Sequence, residues 1–407
     1  MSRLPVLFAS LAFLLAGSAL PREAAAQSLP AGPVSALDGR LGVGAEVTAT
    51  FGADDEQAYF NYTDYEHNTL RMFRVALSAA WRPISRVAVV GEVRSEDLDL
   101  VRPYAAYVRV RPWLSHDFDI QAGRIPPTFG AFGRRGYQGN DNPLIGYPLA
   151  YQYLTSLRPD AVPATYADLL VMRGRGWRAT YPIGDTEPGP GVPLITAFKW
   201  DTGVQAHWQH SGVDIIGSVT TGTLSDPLFS ENNSGKQVSA RVSYKPTPGL
   251  VVGGSAARGE FFARDVIQAL PESSGSHAQS ALGADVEYSR GHWLVRSEMV
   301  WSQWNVPFAT PQTSTNVSAL GTWVETRYRI TPRIVVSARG DHLGFSRLDA
   351  GSNLTPTWEA NVTRFEADAG YYIQRNLLAR FAIQRNDRNG GRIHQRTYLS
   401  GQLSYWF

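Results

Sequence analysis

The chain has 407 residues, a formal net charge of +2, 43% hydrophobic residues, 38 Gly and 11 Trp, and no Cys. The missing Cys excludes a disulfide scaffold, a lipid-anchored Cys and thiolate metal sites. The near-neutral charge excludes a nucleic-acid footprint, and after residue 20 no apolar run reaches the ~20 residues that a membrane helix needs.

Residues 1–26 read as a secretory signal: Arg3 is a thin positive region, Leu4–Leu20 an apolar stretch, and Ala24-Ala25-Ala26 a small-residue cleavage site before Gln27. Cleavage would remove Arg3, Arg22 and Glu23 and leave residues 27–407 with a formal charge of +1.

From Leu41 onward the recurring signal is alternation. Leu41, Val43, Ala45, Val47, Ala49 and Phe51 share one face, with Glu46, Thr48 and Thr50 opposite. Phe73, Val75, Leu77, Ala79 and Trp81 repeat it, as do Val238, Ala240, Val242 and Tyr244 against Ser239, Arg241 and Ser243. A period of two is a strand with two unlike faces. Strands are expected near 40–51, 69–81, 86–96, 100–111, 117–124, 174–182, 194–201, 203–209, 213–222, 236–245, 250–262, 279–289, 292–304, 317–330, 333–345, 360–374, 377–387 and 396–407, eighteen in all. If the pair around Asp201–Gly203 is one strand, or another pair fails, the count is sixteen.

The connections alternate in length. Short turns at residues 82–85, 112–116, 245–249, 290–291, 331–333 and 375–376 interleave with longer polar loops at 52–68, 223–235, 263–277, 305–315 and 346–357. Short turns on one side and long loops on the other are expected of an outer-membrane barrel. Aromatics gather at segment ends. Trp81, Trp113, Tyr244, Tyr328 and Tyr371 lie near short turns, and Phe51, Trp301, Phe345 and Trp358 near long loops, as two interfacial girdles would. The expected fold is all-β: a transmembrane antiparallel β-barrel of about eighteen strands, alternatively sixteen.

Residues 123–176 break the pattern. This insert is rich in Gly, Pro, Arg and Tyr, and a loop of such length is usually functional. Tyr147, Tyr151 and Tyr153 suit packing against a wall, and Ala164–Met172 reads as one short helix with Ala167, Leu169 and Leu170 packed inside.

The chain ends YLSGQLSYWF, with Leu399, Leu403, Tyr405 and Phe407 alternating up to a terminal aromatic. This resembles the last strand of outer-membrane barrels, and the resemblance implies that Tyr405 and Phe407 are an assembly signal read by the barrel-assembly machinery. The layout as a whole resembles the general and substrate-specific porins of Gram-negative outer membranes. In those families the third external loop, between strands five and six, folds into the pore, and here the insert follows the fifth expected segment. Pro127-Thr128-Phe129-Gly130 is similar to the Pro-x-Phe-Gly element of enterobacterial constriction loops. The paired acids common in those loops are absent, because Asp141, Asp160 and Asp168 are scattered and Arg134, Arg135, Arg173 and Arg175 dominate. The family's charge selectivity therefore does not carry over.

The resemblance implies passive diffusion of small hydrophilic solutes and ions through a barrel narrowed by the insert, with outer-membrane lipid and lipopolysaccharide around it. It also implies a homotrimer, for which Gly254 and Ala256 would allow close packing. Strand phase points Arg74, Arg94, Arg109, Arg111, Arg124, Arg178, Arg241, Arg296, Arg327, Arg339 and Arg380 inward. The inward acids are Glu46, Glu92, Asp119, Asp285, Glu287, Glu298, Glu325, Asp341, Glu366 and Asp368. Such charges either set ion selectivity or pair with one another and tether the insert. The pore-lining candidates are Arg74, Arg109, Arg111, Arg124, Arg134, Arg135, Asp141, Tyr147, Tyr151, Arg173, Arg175, Arg296, Glu298, Arg339, Asp341, Glu366 and Asp368. Arg109 and Arg111 are the best wall candidates among them, since their strand pairs with the one leading into the insert.

Enzyme readings fare poorly. No G-x-S-x-G elbow, P-loop or H-E-x-x-H is present, the adjacent His210-Ser211 pair falls in an expected short turn, and no cofactor motif occurs. Asp54-Asp55-Glu56 could bridge calcium or lipopolysaccharide, although a solvated loop tip is the default. The alternative to a channel is a plugged barrel serving as a binding or structural protein, or a receptor.

Overall fold

The computed structural model describes residues 34–55, 60–63, 67–135, 141–233, 235–270, 277–309, 313–348, 356–391 and 395–407. The expected secretory signal, residues 1–26, lies outside them. A three-residue strand β1 (Val34–Ala36) precedes β2 (Leu41–Gly52), β3 (Met72–Ile84), β4 (Val87–Glu96), β5 (Arg102–Val110) and β6 (Asp117–Ile125). The insert follows. The sheet resumes with β9 (Asp201–His210), β10 (Val213–Thr220), β11 (Gln237–Thr247), β12 (Leu250–Glu260), β13 (Ala278–Arg290) and β14 (Trp293–Phe308). It ends with β15 (Thr313–Arg329), β16 (Ile334–Phe345), β17 (Val362–Gln374), β18 (Leu377–Arg388) and β19 (Gln395–Trp406).

Each large strand pairs antiparallel with the next, β6 with β9 across the insert, and β19 returns to β2 from Ser400↔Gly52 to Trp406↔Glu46. β1 is a short addition beside the foot of β2, so sixteen of the seventeen strands in the sheet close the barrel. Closure leaves no edge and satisfies the strand backbone without water.

The faces are inverted relative to a soluble sandwich. Outward Leu77, Val242, Phe365, Phe381 and Leu403 are exposed, while inward Thr48, Ser239, Arg339 and Glu366 are buried. A continuous exposed apolar band of this kind calls for lipid around it. Trp81, Trp113, Tyr244, Trp293, Tyr371 and Tyr405 stand exposed at the short-turn end as one girdle. At the other end Phe51 is exposed, but Phe345 and Trp358 turn inward. Trp358 is fully buried, donates from Nε1 to the Ser318 carbonyl at 2.8 Å and packs on Phe345, so neither is a girdle residue.

The lower of the two expected strand counts is the observed one, because the segments at 174–182 and 194–201 are not wall strands. The first contains a 3₁₀ turn, Gly176–Arg178, and leads into a stretch broken by Pro182, Pro188, Pro190 and Pro193, which lack the N–H a ladder needs. In the second, Leu194, Ile195, Thr196, Phe198 and Trp200 are all buried, so it has no outer face to show lipid. The insert therefore runs over residues 126–200, not 123–176. The expected loop at 305–315 is mostly strand, since β14 continues to Phe308 and β15 begins at Thr313.

Within the insert lie α1 (Phe132–Arg135), α2 (Leu149–Gln152), α3 (Tyr166–Val171) and a two-residue ladder of β7 (Ala161–Val162) with β8 (Ile183–Gly184). α3 starts at a capping box between Thr165 and Asp168. It buries Leu169 and half-buries Leu170, but exposes Ala167. A further helix, α4 (Arg264–Ala269), caps the barrel mouth from the loop after β12. Phe129, Phe132, Leu149, Tyr151, Tyr153, Leu157, Leu194 and Phe198 join Trp304, Leu343 and Trp358 in one apolar core inside the long-loop half of the barrel.

Candidate functional site: a polar inner wall gripping the insert

The insert leaves β6 through Pro126-Pro127, too rich in proline to continue the ladder. Thr128 Oγ1 then donates to Gln205 Oε1 at 2.9 Å, beside Ser218 Oγ, which bonds Ser239 Oγ. Gly130 has φ +75° and donates its N–H to Ser255 Oγ at 3.0 Å. A Cβ there would collide with Tyr151 Oη and Glu298 Oε1. Glu298 receives the Ala131 N–H at 2.9 Å and the Tyr151 hydroxyl at 2.8 Å.

The descending segment is held next. Arg380 donates to the Asn142 and Leu144 carbonyls at 2.6 and 3.2 Å. Glu366 accepts the Gly146 N–H at 2.7 Å, Arg364 donates to the Tyr147 carbonyl at 2.9 Å, and Asp341 accepts the Leu149 N–H at 3.3 Å. Arg74 donates to Tyr147 Oη at 3.2 Å. Five strands (β3, β14, β16, β17 and β18) thus grip Ala131 and residues 142–149 through charged side chains on backbone or hydroxyl groups, which are among the stronger hydrogen bonds.

The wall charges pair laterally. Arg339 reaches Asp341 at 3.1 Å, Glu366 at 3.0 Å and Glu325 at 3.5 Å. Arg74 pairs with Glu96 at 2.9 Å, Arg94 with Glu92 at 2.7 Å, Arg296 with Glu287 at 2.8 Å, and Arg241 makes a two-point contact with Asp285. The Arg94 guanidinium also lies 3.4 Å from the centre of the Tyr104 ring. These side chains therefore pair with one another and hold the insert.

The remaining candidates scatter. Arg109 is half-buried and Arg111 follows β5 with an exposed pair to Asp117 at 3.5 Å, both at the short-turn end, away from the mouth of the insert. Arg124 donates to the Tyr104 carbonyl at 3.2 Å. Arg134 and Arg135 belong to α1, and their side chains lie outside the described residues. Asp141 is exposed, and its carbonyl accepts from Arg296 at 3.5 Å. Arg173 donates to the Asn389 carbonyl at 3.2 Å, Arg175 is exposed and Arg178 is exposed on the 3₁₀ turn, so these three stand at the mouth. Asp368 is buried on the wall with neither carboxylate oxygen hydrogen-bonded among the described residues. Tyr405 faces outward and stacks towards Phe407, whose N–H and carbonyl bond to Ala45.

Three important groups escaped the sequence. Arg364 follows the phase of Glu366 and Asp368, so the period could have found it. Glu359 sits in the loop before β17, fully buried, and accepts from Ser156 N–H and Oγ at 2.9 and 2.7 Å and from the Gly174 N–H at 2.5 Å. Burial pushes its carboxyl above the ordinary value. Asp55 is no solvated tip: it accepts the Phe60 and Asn61 N–H groups at 3.0 and 2.8 Å and folds the first long loop inward. Glu56, its expected partner for a cation, lies outside the described residues.

No protein-family model and no curated protein matches the sequence. Solved structures do match in shape. An anion-selective porin from Comamonas acidovorans aligns at TM-score 0.55 and 6% identity, over 90% of this chain and 99% of that one. OmpF of Salmonella typhi, solved with daunomycin, aligns at TM-score 0.54 and 11% identity, over 90% and 97%. The fold is that of the porins. OmpT, an outer membrane protein of Vibrio cholerae, adds a third likeness at TM-score 0.52 and 10% identity, covering 93% of this chain and all of that one. At these identities the likeness concerns the porin fold alone. The insert of this porin-fold chain lies between the fifth and sixth barrel strands, β6 and β9.

Proposed function

We propose that the protein is an outer-membrane porin that admits small hydrophilic solutes around the insert. The observation that carries this reading is the inner wall: polar and charged on most of its strands, and in contact with a long insert held by side chains rather than by backbone ladder. At the short-turn end Arg109, Gln209, Asp214, Glu287, Arg296 and Arg327 are only partly buried and form a wet vestibule below Asp141. In this reading both termini face the periplasm and residues 1–26 direct export. Tyr405 and Phe407 present the assembly signal, and the barrels associate as trimers, as one OmpT structure described as a trimer form does. The test is single-channel recording in a planar bilayer. Stepwise conductance is expected, and its absence at every voltage would overturn the reading.

A second reading, a plugged barrel that binds or receives a ligand, is favoured by the apolar core the insert builds in the long-loop half. Removing residues 142–157 separates the two. A plugged barrel conducts only after the deletion, whereas a porin conducts before it.

A further inference from the structure

The two ends of the barrel differ in charge. At the short-turn end Arg40, Arg82, Arg86, Arg290, Arg329, Arg333 and Arg375 are all exposed. None of the seven has an ion-pair partner among the described residues, and the exposed acids there are Asp38 and Asp117, the latter taken by Arg111. At the long-loop end exposed acids such as Asp54, Asp97, Asp185 and Asp265 stand among the cations, and some charges pair, as in Arg385 with Asp387, Arg102 with Asp99 and Lys236 with Glu231.

One place on this cationic rim is shaped as a cleft. Tyr288, Arg290, Gly291, His292, Trp293, Val295 and Tyr328 line an outward-facing hollow of about 430 Å³ at the β13–β14 turn. Register places Tyr288 opposite Val295, Arg290 opposite Trp293, and Trp293 opposite Tyr328. The aromatic wall is open, with Tyr288 and Trp293 40% and 50% exposed and the Trp293 and Tyr328 rings 4.5 Å apart. The Arg329 N–H donates to the His292 carbonyl at 3.0 Å, and His292 Nδ1 lies 2.6 Å from the Arg329 carbonyl. The two contacts tie the His292 turn to the backbone at the end of β15 and set the imidazole beside the Tyr328 ring.

We propose that this cleft seats one anionic phospholipid of the adjoining leaflet. Its phosphate lies on Arg290, within reach of His292, and its acyl chain runs down Tyr288 and Val295 onto the apolar belt. Two observations select this occupant. The cleft is continuous with the lipid-facing surface at Val286 and Val295, so a molecule filling it is already in the bilayer. The cleft's charge is also of one sign, and a basic residue at the membrane surface attracts anionic headgroups, to which Arg offers a two-point donor fork. The inference rests on the barrel spanning a membrane, not on what passes through it.

The test is native mass spectrometry of the folded chain released from mixed micelles that contain equal amounts of phosphatidylglycerol and phosphatidylcholine. Heat-modifiable migration reports folding separately. Wild type should retain one phosphatidylglycerol in at least about tenfold preference. Arg290→Glu and the milder Arg290→Gln should lose that preference, while Arg258→Glu, an exposed outward position at the opposite end, should keep it. Equal retention of both lipids by a folded wild type, or undiminished preference in folded Arg290→Glu, would overturn the proposal. A chain that never reaches the heat-modifiable state in lipid would instead overturn the membrane reading beneath it.

Discussion

Arg339 is fully buried, and its fork is shared by Glu325, Asp341 and Glu366. Removing one partner of a buried ionic group strands the others in a poorly solvating place, at a cost of about 3–5 kcal/mol. Arg339→Met should therefore lower the urea midpoint of the folded barrel by that equivalent, and adding Glu366→Gln should recover part of it. A midpoint unmoved by the single change would mean water reaches the network. Asp55 tests burial of another kind, because the desolvation of this loop carboxyl raises it to about 6, from near 4 in an unfolded chain. A folded value above the unfolded one means that the folded state holds the proton more tightly. The Asp55 contribution to stability is thus complete below about pH 4 and falls as pH rises to about 6. Asp55→Asn keeps an acceptor for Phe60 and Asn61 and replaces Oδ1, which has no partner among the described residues, with a donor. It should remove the pH dependence of amide protection at Phe60 and Asn61, after correction for intrinsic exchange, and an unchanged slope would assign that dependence elsewhere. The facing of Arg339 was legible from the phase it shares with Ser337 and Asp341, opposite Val336 and Ala338. The inward turn of Asp55 was not, since it depends on the Arg364 bond to the Phe60 carbonyl, 304 residues away in sequence.

The insert is the element where sequence periodicity misleads. Leu194–Trp200 is apolar enough to imitate a strand, yet Leu194, Ile195, Ala197 and Phe198 all pack into the insert core, and Trp200 packs on Tyr104 and Tyr107 of the wall. A strand with both faces buried and an extended core segment carry the same apolar run, and only partners distinguish them. The prolines between residues 182 and 193 were the available signal. Arg158 closes the insert on itself, donating to the Ala179 and Glu187 carbonyls at 3.0 and 2.6 Å and to Asp160 at 2.8 Å. The wall contacts of residues 142–149 can therefore yield without unravelling the rest. Gly146 is the tightest of those contacts, with Glu366 Oε2 2.5 Å and Gln384 Nε2 2.7 Å from where a Cβ would stand. Overpacking of this kind costs about 1–3 kcal/mol, and here the insert is the softer partner because β17 and β18 are locked in the ladder. Gly146→Ala should hasten proteolytic cleavage near residues 136–157 in reconstituted vesicles while leaving the barrel heat-modifiable. Cleavage at the wild-type rate would show that the wall side chains move instead.

At the scale of the whole molecule the barrel inverts the usual distribution of polarity, and adjacent residues of one strand meet opposite solvents. In β11, Val242 is about half exposed on the outer belt, while its neighbour Ser243 is half-buried on the inner wall at the same height. Alternation and turn lengths made this architecture legible, because strand phase and closure are set by local pattern and by the lack of any free edge. The sixteen-strand count was less legible, because it turns on what fills the interior. The inversion predicts opposite responses to one substitution at two neighbouring positions. Arginine at mid-belt meets hydrocarbon, and a lipid-facing Arg near the midplane costs about 2–4 kcal/mol. Arginine at Ser243 meets instead the acids of the inner wall, Asp214 directly across on β10 and Asp285 two strands along on β13. Val242→Arg should lower the folding free energy into vesicles by that amount, and Ser243→Arg should change it by less than about 1 kcal/mol. Equal penalties would place both faces of β11 in the same solvent, and the barrel would then not be surrounded by lipid.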